Sequence, residues 1–174
     1  MTMKTSNDNK QLIFAGSLIF LAAFTRLIPH PYNLTAIGAL ALFSGSQVAD
    51  KRLAYFLPIA ALFLSDLVIG LHGTMLPVYL CFAITVWLGT KLGANSGIIK
   101  TGLFSISGSI IFFLITNLPI WYGGFYPMTP SGTMVSYTAA LPFFSNQMIG
   151  DLVYSGLLFG VFNSIKNSYL RPAA

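Results

Sequence analysis

Runs of apolar residues, each bounded by polar residues, prolines or glycines, recur along the whole chain. An α-helix needs roughly 20 residues to cross about 30 Å of hydrocarbon, and most of these runs approach that length. The pattern predicts an all-α, polytopic membrane protein with six transmembrane helices, at residues 11–28, 34–49, 53–71, 75–92, 102–119 and 146–165. We expect one membrane domain over residues 11–165, with an outer loop at 120–145, an N-terminal tail at 1–10 and a C-terminal tail at 166–174.

The composition excludes an ordinary soluble domain. Of the 174 residues, 55% are hydrophobic and only 7% are charged, whereas soluble domains carry about 25% charged residues. The single cysteine excludes an intramolecular disulfide and a cysteine-cluster metal site. Lys4 and Lys10 ahead of an apolar run would also fit a signal peptide over residues 1–24, but the run continues to Ile28 and five similar segments follow. A retained first helix is the simpler interpretation.

The basic residues indicate how the helices are oriented. The net charge is +5, but the nine Lys and Arg residues form no cluster of the kind that binds nucleic acid. With six spans, eight of the nine fall on the side of the two termini: Lys4, Lys10, Lys51, Arg52, Lys91, Lys100, Lys166 and Arg171. Because cytoplasmic loops are enriched in Lys and Arg, both termini are predicted to be cytoplasmic. The exception is Arg26, near the opposite end of the first helix.

Three charged residues are predicted to lie inside the spans, in the outer half of the membrane: Arg26, Asp66 and Asp151. A charge at the centre of a transmembrane helix costs about 2.5 to 3.5 kcal/mol or more, so each charge must face a partner or a cavity. Two interpretations remain open. The three residues form an ion pair that locks helices together, or they orient a ligand and support the floor of its pocket.

The sixth predicted helix carries a polar stripe. Its members are spaced i, i+4, i+7 and i+8 and share one helix face: Gln147, Asp151, Tyr154 and Ser155. Such a stripe faces inward, towards neighbouring helices or towards a cavity for a neutral, polar ligand. The outer loop holds seven aromatic residues among its prolines and glycines: Trp121, Tyr122, Phe125, Tyr126, Tyr137, Phe143 and Phe144. These rings anchor the protein at the membrane interface, or they form a lid over a large, flat, uncharged molecule.

Other residues have alternative interpretations. His30 and His72 lie in outer turns without a third ligand at a recognisable spacing, so no metal site of the protein itself is predicted, and we interpret them as interfacial or gating residues. Ala41, Gly45 and Ala49 repeat every four positions on the second helix, which fits internal packing or docking to a partner membrane protein. The chain has no phosphate-binding loop, so any ATP-driven step must come from another subunit.

The stretch from Arg26 to Gly45, RLIPHPYNLTAIGALALFSG, resembles the small six-helix, substrate-binding S components of energy-coupling-factor (ECF) transporters. A narrower resemblance, carried by Cys81 in LPVYLCFAITVWLG, is to the solitary vitamin B12 uptake proteins called BtuM. It implies that the protein captures cobalamin from the outer side of the membrane and moves it inward. It also implies that Cys81 ligates the cobalt and supports removal of cyanide from cyanocobalamin. The S-component resemblance implies an ECF transmembrane and ATPase module as a partner.

The leading interpretation is therefore a membrane transporter that binds cobalamin as its substrate. Cys81 would ligate the cobalt, with decyanation as an additional enzymatic activity. Five further residues would contact the ligand or support its pocket: Arg26, Asp66, Gln147, Asp151 and Tyr154. One alternative is an ECF-type S component for another small vitamin, in which Cys81 only packs. A second is a structural or assembly protein in which the charged residues of the spans form an internal lock.

Overall fold

The computed structural model of the protein describes residues 6–169, and every regular element in that range is helical. Six α-helices follow one another along the chain: α1 (Ser6–Ala23), α2 (Ile37–Gln47), α3 (Lys51–Ile69), α4 (Met75–Leu92), α5 (Ile98–Thr116) and α6 (Pro130–Tyr169). Short 3-10 helices extend α1 and follow α5, at Phe24–Arg26 and Pro119–Tyr122. The predicted all-α class is confirmed for this part of the chain.

Four of these helices, α3 to α6, are long and apolar enough to cross a membrane. For the described residues, the prediction of six spans is therefore wrong in number. Helix α2 has 11 residues, and at about 1.5 Å per residue it is roughly half as long as the hydrocarbon layer is thick. The apolar stretch Leu12–Arg26, which comprises most of α1 and the 3-10 helix after it, is also shorter than a membrane span requires. Nine residues of α2 are buried, and a helix enclosed by protein does not have to match the bilayer.

The predicted tails are partly helical, because α1 and α6 extend over residues 6–10 and 166–169. Polar residues can continue a helix beyond its apolar segment, since they only have to face water there. The remaining parts of both predicted tails, including Lys4 and Arg171, lie outside the described residues.

Helix α2 occupies the centre of the bundle and packs most extensively against α4. Gly45 of α2 and Gly89 of α4 meet where the two helices cross, and an added Cβ on either glycine would overlap a backbone carbonyl oxygen of the other helix. Small residues at this crossing let the two backbones touch. Of the predicted small-residue repeat, Ala41 is also buried, while Ala49 lies beyond the end of α2. The repeat therefore serves packing within the protein.

The connection between α5 and α6 is shorter than predicted. The outer loop was predicted at residues 120–145, but residues 130–145 form the first part of α6. Pro130 stands in the first turn of that helix, where a missing N–H group leaves no hydrogen bond unmade. Pro142 lies inside the helix, a position where proline bends the backbone. The prolines of this segment were interpreted as loop residues, and the predicted loop is therefore wrong over residues 130–145.

The helices alternate in direction, so each end of the bundle collects particular side chains. Lys51 at the start of α3 and Lys91 at the end of α4 lie at the same end as Lys100 in the first turn of α5. Lys166, near the end of α6, also belongs to this group. We call this end the basic end. Arg26 is the last residue of the 3-10 helix that extends α1, and it lies at the opposite end of the bundle.

Candidate functional site

A cavity of about 700 Å³ lies at the end of the bundle opposite to the basic end. Its wall is formed by the α1–α2 connection, the first turn of α2 and the adjoining halves of α3 to α6. The volume falls within the range of about 300–1,000 Å³ that is typical of small-molecule sites. The cavity is therefore the candidate functional site.

Aromatic rings make up much of the cavity wall. Seven of them line it: Tyr32, Phe82, Phe112, Phe113, Tyr122, Phe143 and Phe144. Three of these belong to the predicted loop aromatics, whereas the other four loop aromatics do not line the cavity: Trp121, Phe125, Tyr126 and Tyr137. Burial, together with the nearby phenols of Tyr126 and Tyr137, raises the pKa of Tyr122. The Tyr122 hydroxyl therefore remains a neutral hydrogen-bond donor at physiological pH.

Arg26 forms part of the cavity wall and makes an ion pair with Asp66 of α3. Its Nη1 atom lies 2.5 Å from Oδ1 of Asp66 and donates to the Ser65 hydroxyl oxygen at 2.7 Å. Oδ2 of Asp66 accepts a hydrogen bond of 2.7 Å from Tyr79 of α4. The Asp66 side chain is fully buried and does not line the cavity, whereas the Arg26 side chain keeps 16% of its exposure. The pair ties three helices together beside the cavity.

Asp151 of α6 lies at the deep side of the cavity, against the N-terminus of α2. Its carboxylate accepts hydrogen bonds from the Ser109 hydroxyl (2.7 Å), the Gln147 side chain and the backbone N–H of Ala39. Helix α2 has no side-chain cap of its own, so the Asp151 side chain accepts from an N–H group that the first turn of the helix leaves free. Gly38 permits the approach, because an added Cβ would overlap the carboxylate.

The three charged residues of the spans therefore belong to two arrangements rather than one lock. Arg26 is paired with Asp66. Within residues 6–169, Asp151 makes no ion pair, and its side chain accepts hydrogen bonds from neutral donors beside the start of α2. The ion-pair interpretation holds for Arg26 and Asp66 alone.

Two members of the predicted polar stripe of α6, Gln147 and Asp151, line the cavity, and the other two pack in the core. Ser155 is buried and donates to the Ser105 hydroxyl of α5 at 3.3 Å. Tyr154 is half-buried, packs against the apolar core and does not line the cavity. Three of the predicted site residues do come together in the cavity wall: Arg26, Gln147 and Asp151.

Cys81 is fully buried in α4 and does not line the cavity. Its neighbours along the helix, Val78 and Phe82, do line it. The thiol thus lies outside the site in which it was expected to ligate cobalt. His30 and His72 are exposed and line the cavity, and no group of three or more potential metal ligands occurs within residues 6–169.

Four residues of these arrangements were not predicted: Gly38, Ser65, Tyr79 and Ser109. Of these, Ser109 could have been found from the sequence. Ser105 and Ser109 are four positions apart on α5, as Asp151 and Ser155 are on α6. Two matching polar stripes indicate that the helices face each other. The other three residues act through helix contacts that no spacing along the chain reveals.

Comparison with known proteins assigns the chain to a family, but that family has no known activity. No curated protein matches the chain. No solved structure matches it either. One family model, described as a family of unknown function (DUF6580), matches residues 6–174. That match covers nearly the whole chain, and the protein therefore belongs to the DUF6580 family.

Proposed function

We propose that the protein is a membrane transport protein of the S-component type, which captures a small organic solute in its cavity and moves it across the membrane. The observation that carries this proposal is the cavity of about 700 Å³, which combines an aromatic wall with the ionisable side chains of Arg26 and Asp151. Asp151 belongs to a helix long and apolar enough to span a membrane, and ionisable groups in such helices are costly and commonly mark solute pathways.

The distribution of basic residues supports an orientation for this activity. Lys and Arg are enriched on the cytoplasmic side of membrane proteins, and the cavity lies at the end opposite to the basic end. In a bacterial inner membrane, the cavity would then face outward and receive its solute from that side. The chain carries no ATP-binding motif, so ATP-driven uptake would depend on a partner such as an ECF module.

The resemblance to BtuM implies cobalamin as the solute, the resemblance to S components in general allows another small vitamin, and the burial of Cys81 bears on the choice. Cobalamin capture with cobalt ligation requires the thiol to reach the cavity, but Cys81 is fully buried and absent from the cavity wall. This form of the proposal, with its decyanation, requires α4 to turn about its axis when the solute binds. The geometry favours the other form, a smaller vitamin-like solute that makes no use of Cys81.

Visible absorption spectroscopy tests the cobalamin form. Purified protein in detergent is mixed with cyanocobalamin, because the corrin spectrum reports the axial ligand of cobalt. A spectral shift that is present in the wild type and absent in Cys81→Ala would support cobalt ligation. If equilibrium dialysis detects no bound cyanocobalamin in either protein, the cobalamin form is refuted.

Thermal unfolding tests the small-solute form. The protein is screened against thiamine, riboflavin, biotin, pantothenate and nicotinate, and a solute that enters the cavity should raise the melting temperature. Ala140 lines the cavity, whereas its neighbour Ala139 is exposed. Ala140→Phe should therefore abolish the rise, while the matched control Ala139→Phe should retain it. A rise that survives Ala140→Phe would place binding elsewhere and contradict the proposal.

A structural role is favoured for one of the predicted site residues. Asp66 is fully buried, is bound by Arg26 and Tyr79, and does not line the cavity. Its neutralisation should therefore destabilise the fold. An assembly function for the whole chain would require that no solute raises its melting temperature.

A further inference from the structure

The guanidinium group of Arg26 is held from one side only. Its Nη1 atom donates to the Leu62 carbonyl oxygen (3.4 Å), the Ser65 hydroxyl (2.7 Å) and Asp66 (2.5 Å). Within residues 6–169, its Nε and Nη2 atoms have no hydrogen-bond acceptor, and the side chain lines the cavity with 16% of its surface exposed. One edge of the guanidinium is therefore fixed, and the other is available to a bound solute.

The free edge cannot be satisfied by a movement of Asp66. That carboxylate is fully buried, and its second oxygen is held by Tyr79 at 2.7 Å. The Nε–Nη2 edge of arginine presents two parallel N–H donors at the spacing of the two oxygens of a carboxylate. A planar, two-oxygen acceptor therefore fits this edge better than a single carbonyl or hydroxyl oxygen does.

The acidic groups around the cavity favour an acceptor with one negative charge over an acceptor with two. Asp66 already offsets the charge of Arg26, and Asp151 lines the same cavity. Three neutral donors hydrogen-bond to Asp151, and a monoanion adds less negative charge beside these two carboxyl groups than a dianion does. A phosphate, with up to two negative charges, would meet more repulsion from these two carboxylates.

We infer that the cavity contains a carboxylate subsite on the Nε–Nη2 edge of Arg26, and that its solute is a small organic monocarboxylate. The apolar part of the solute would contact the aromatic wall, in which Phe82 and Phe112 lie with ring centroids 5.6 Å apart. This inference rests on the proposed solute-binding function and specifies the chemical class of the solute.

Selective ¹⁵N labelling of arginine tests the subsite with simple probes. The chain has three arginines, Arg26, Arg52 and Arg171, so the Nε signals in detergent micelles are few and can be assigned with Arg→Lys variants. The probes are benzoate, benzamide and benzylamine, which share a phenyl ring and are negatively charged, neutral and positively charged, respectively. Benzoate should shift the Arg26 Nε signal saturably, whereas benzamide and benzylamine should not. Arg52 is exposed at the basic end and serves as the internal control.

A double variant checks that the guanidinium itself is responsible. Arg26→Gln combined with Asp66→Asn replaces the ion pair by two neutral amides, so no unpaired buried charge remains. Its affinity for benzoate, measured from the melting temperature as a function of probe concentration, should fall about tenfold or more, as expected for the loss of a charge-assisted bidentate contact. Unchanged affinity in the double variant would overturn the subsite.

The outcomes separate this inference from the proposed function. If all three probes raise the melting temperature equally and the Arg26 signal does not move, the carboxylate subsite is refuted while solute binding in the cavity stands. If benzoate moves the Arg26 and Arg52 signals alike and without saturation, the subsite is also refuted. The proposed function itself is tested by comparing Ala140→Phe with Ala139→Phe, and this comparison does not involve Arg26.

Discussion

Breaking the Arg26–Asp66 ion pair should destabilise the protein by an amount that depends on which partner is removed. Each single substitution leaves one charge without its counter-charge. The two charges have different surroundings, because Asp66 is fully buried and Arg26 keeps 16% exposure towards the cavity. We therefore expect Arg26→Gln to lower the free energy of unfolding more than Asp66→Asn does.

The magnitudes follow from what each variant leaves behind. Removal of one partner from a buried ion pair costs about 3–5 kcal/mol, and Arg26→Gln belongs in this range because the remaining Asp66 carboxylate keeps only the hydrogen bond from Tyr79. Asp66→Asn leaves an arginine that water can reach through the cavity, so its cost should be about 1–3 kcal/mol. The double variant contains no unpaired charge, and its cost should fall below the sum of the single costs by about 2 kcal/mol.

Equilibrium unfolding by SDS in mixed micelles, followed by circular dichroism, measures these differences. Arg52→Gln is the matched control, because Arg52 is exposed at the basic end and should change stability by no more than about 0.5 kcal/mol. Additive effects of the two single substitutions would show that the two side chains do not interact. A larger cost for Asp66→Asn than for Arg26→Gln would refute the argument from burial.

Three further predictions test the helix packing and the placement of the thiol. Gly45→Val should destabilise the protein by about 3 kcal/mol or more, because the α4 backbone occupies the space beside Gly45, whereas nothing lies within 4 Å of a Cβ added to Gly160. SDS unfolding of Gly45→Val and Gly160→Val compares the two sites, and equal stability would contradict the contact between α2 and α4. Gly38→Ala should push the Asp151 carboxylate away from α2 and lower the melting temperature, so an unchanged melting temperature would speak against that hydrogen-bonded arrangement. Cys81 should resist a maleimide reagent in the folded protein and react after unfolding in SDS, as measured by mass spectrometry. Rapid labelling of the folded protein would show that the thiol is accessible, and cobalt ligation by Cys81 would then be supported again.

The packing of α2 also constrains how a transport partner could bind. Helix α4 covers Gly45 and thereby occupies the face of α2 that carries the small-residue repeat. An ECF module that binds this protein would have to use another surface. The contact between Gly45 and Gly89 is thus part of the fold, and substitutions there report on stability rather than on partner binding.

The positions of several helices could be predicted from local hydrophobicity alone. The predicted segments 53–71, 75–92 and 102–119 coincide with α3, α4 and α5 to within a few residues. Hydrophobicity worked there because each helix is a single apolar run bounded by polar residues. It failed over residues 130–145, where proline and glycine content suggested a loop, although Pro130 and Pro142 are both accommodated in α6.

The sequence also supplied the main candidates for the site, but not their partners. Its sparse charges singled out Arg26, Asp66 and Asp151, and helical spacing indicated that the stripe containing Asp151 faces inward. The sequence did not indicate whether Asp151 would interact with the Arg26–Asp66 ion pair. The answer depended on Gly38, whose missing side chain lets the carboxylate reach the N-terminus of α2.

The amino-acid sequence by itself determined that this is a helical, membrane-type chain with a few costly charges, because hydrophobicity and charge are properties of each residue and its neighbours. Only the tertiary structure decided that Cys81 is buried outside the cavity, while Arg26 lines the cavity and pairs with Asp66. Neighbouring residues of one helix can face a cavity or the core, and which of them faces the cavity depends on how the helices cross. That crossing is set where backbones touch, as at Gly45 and Gly89, and no pattern along a single helix specifies it.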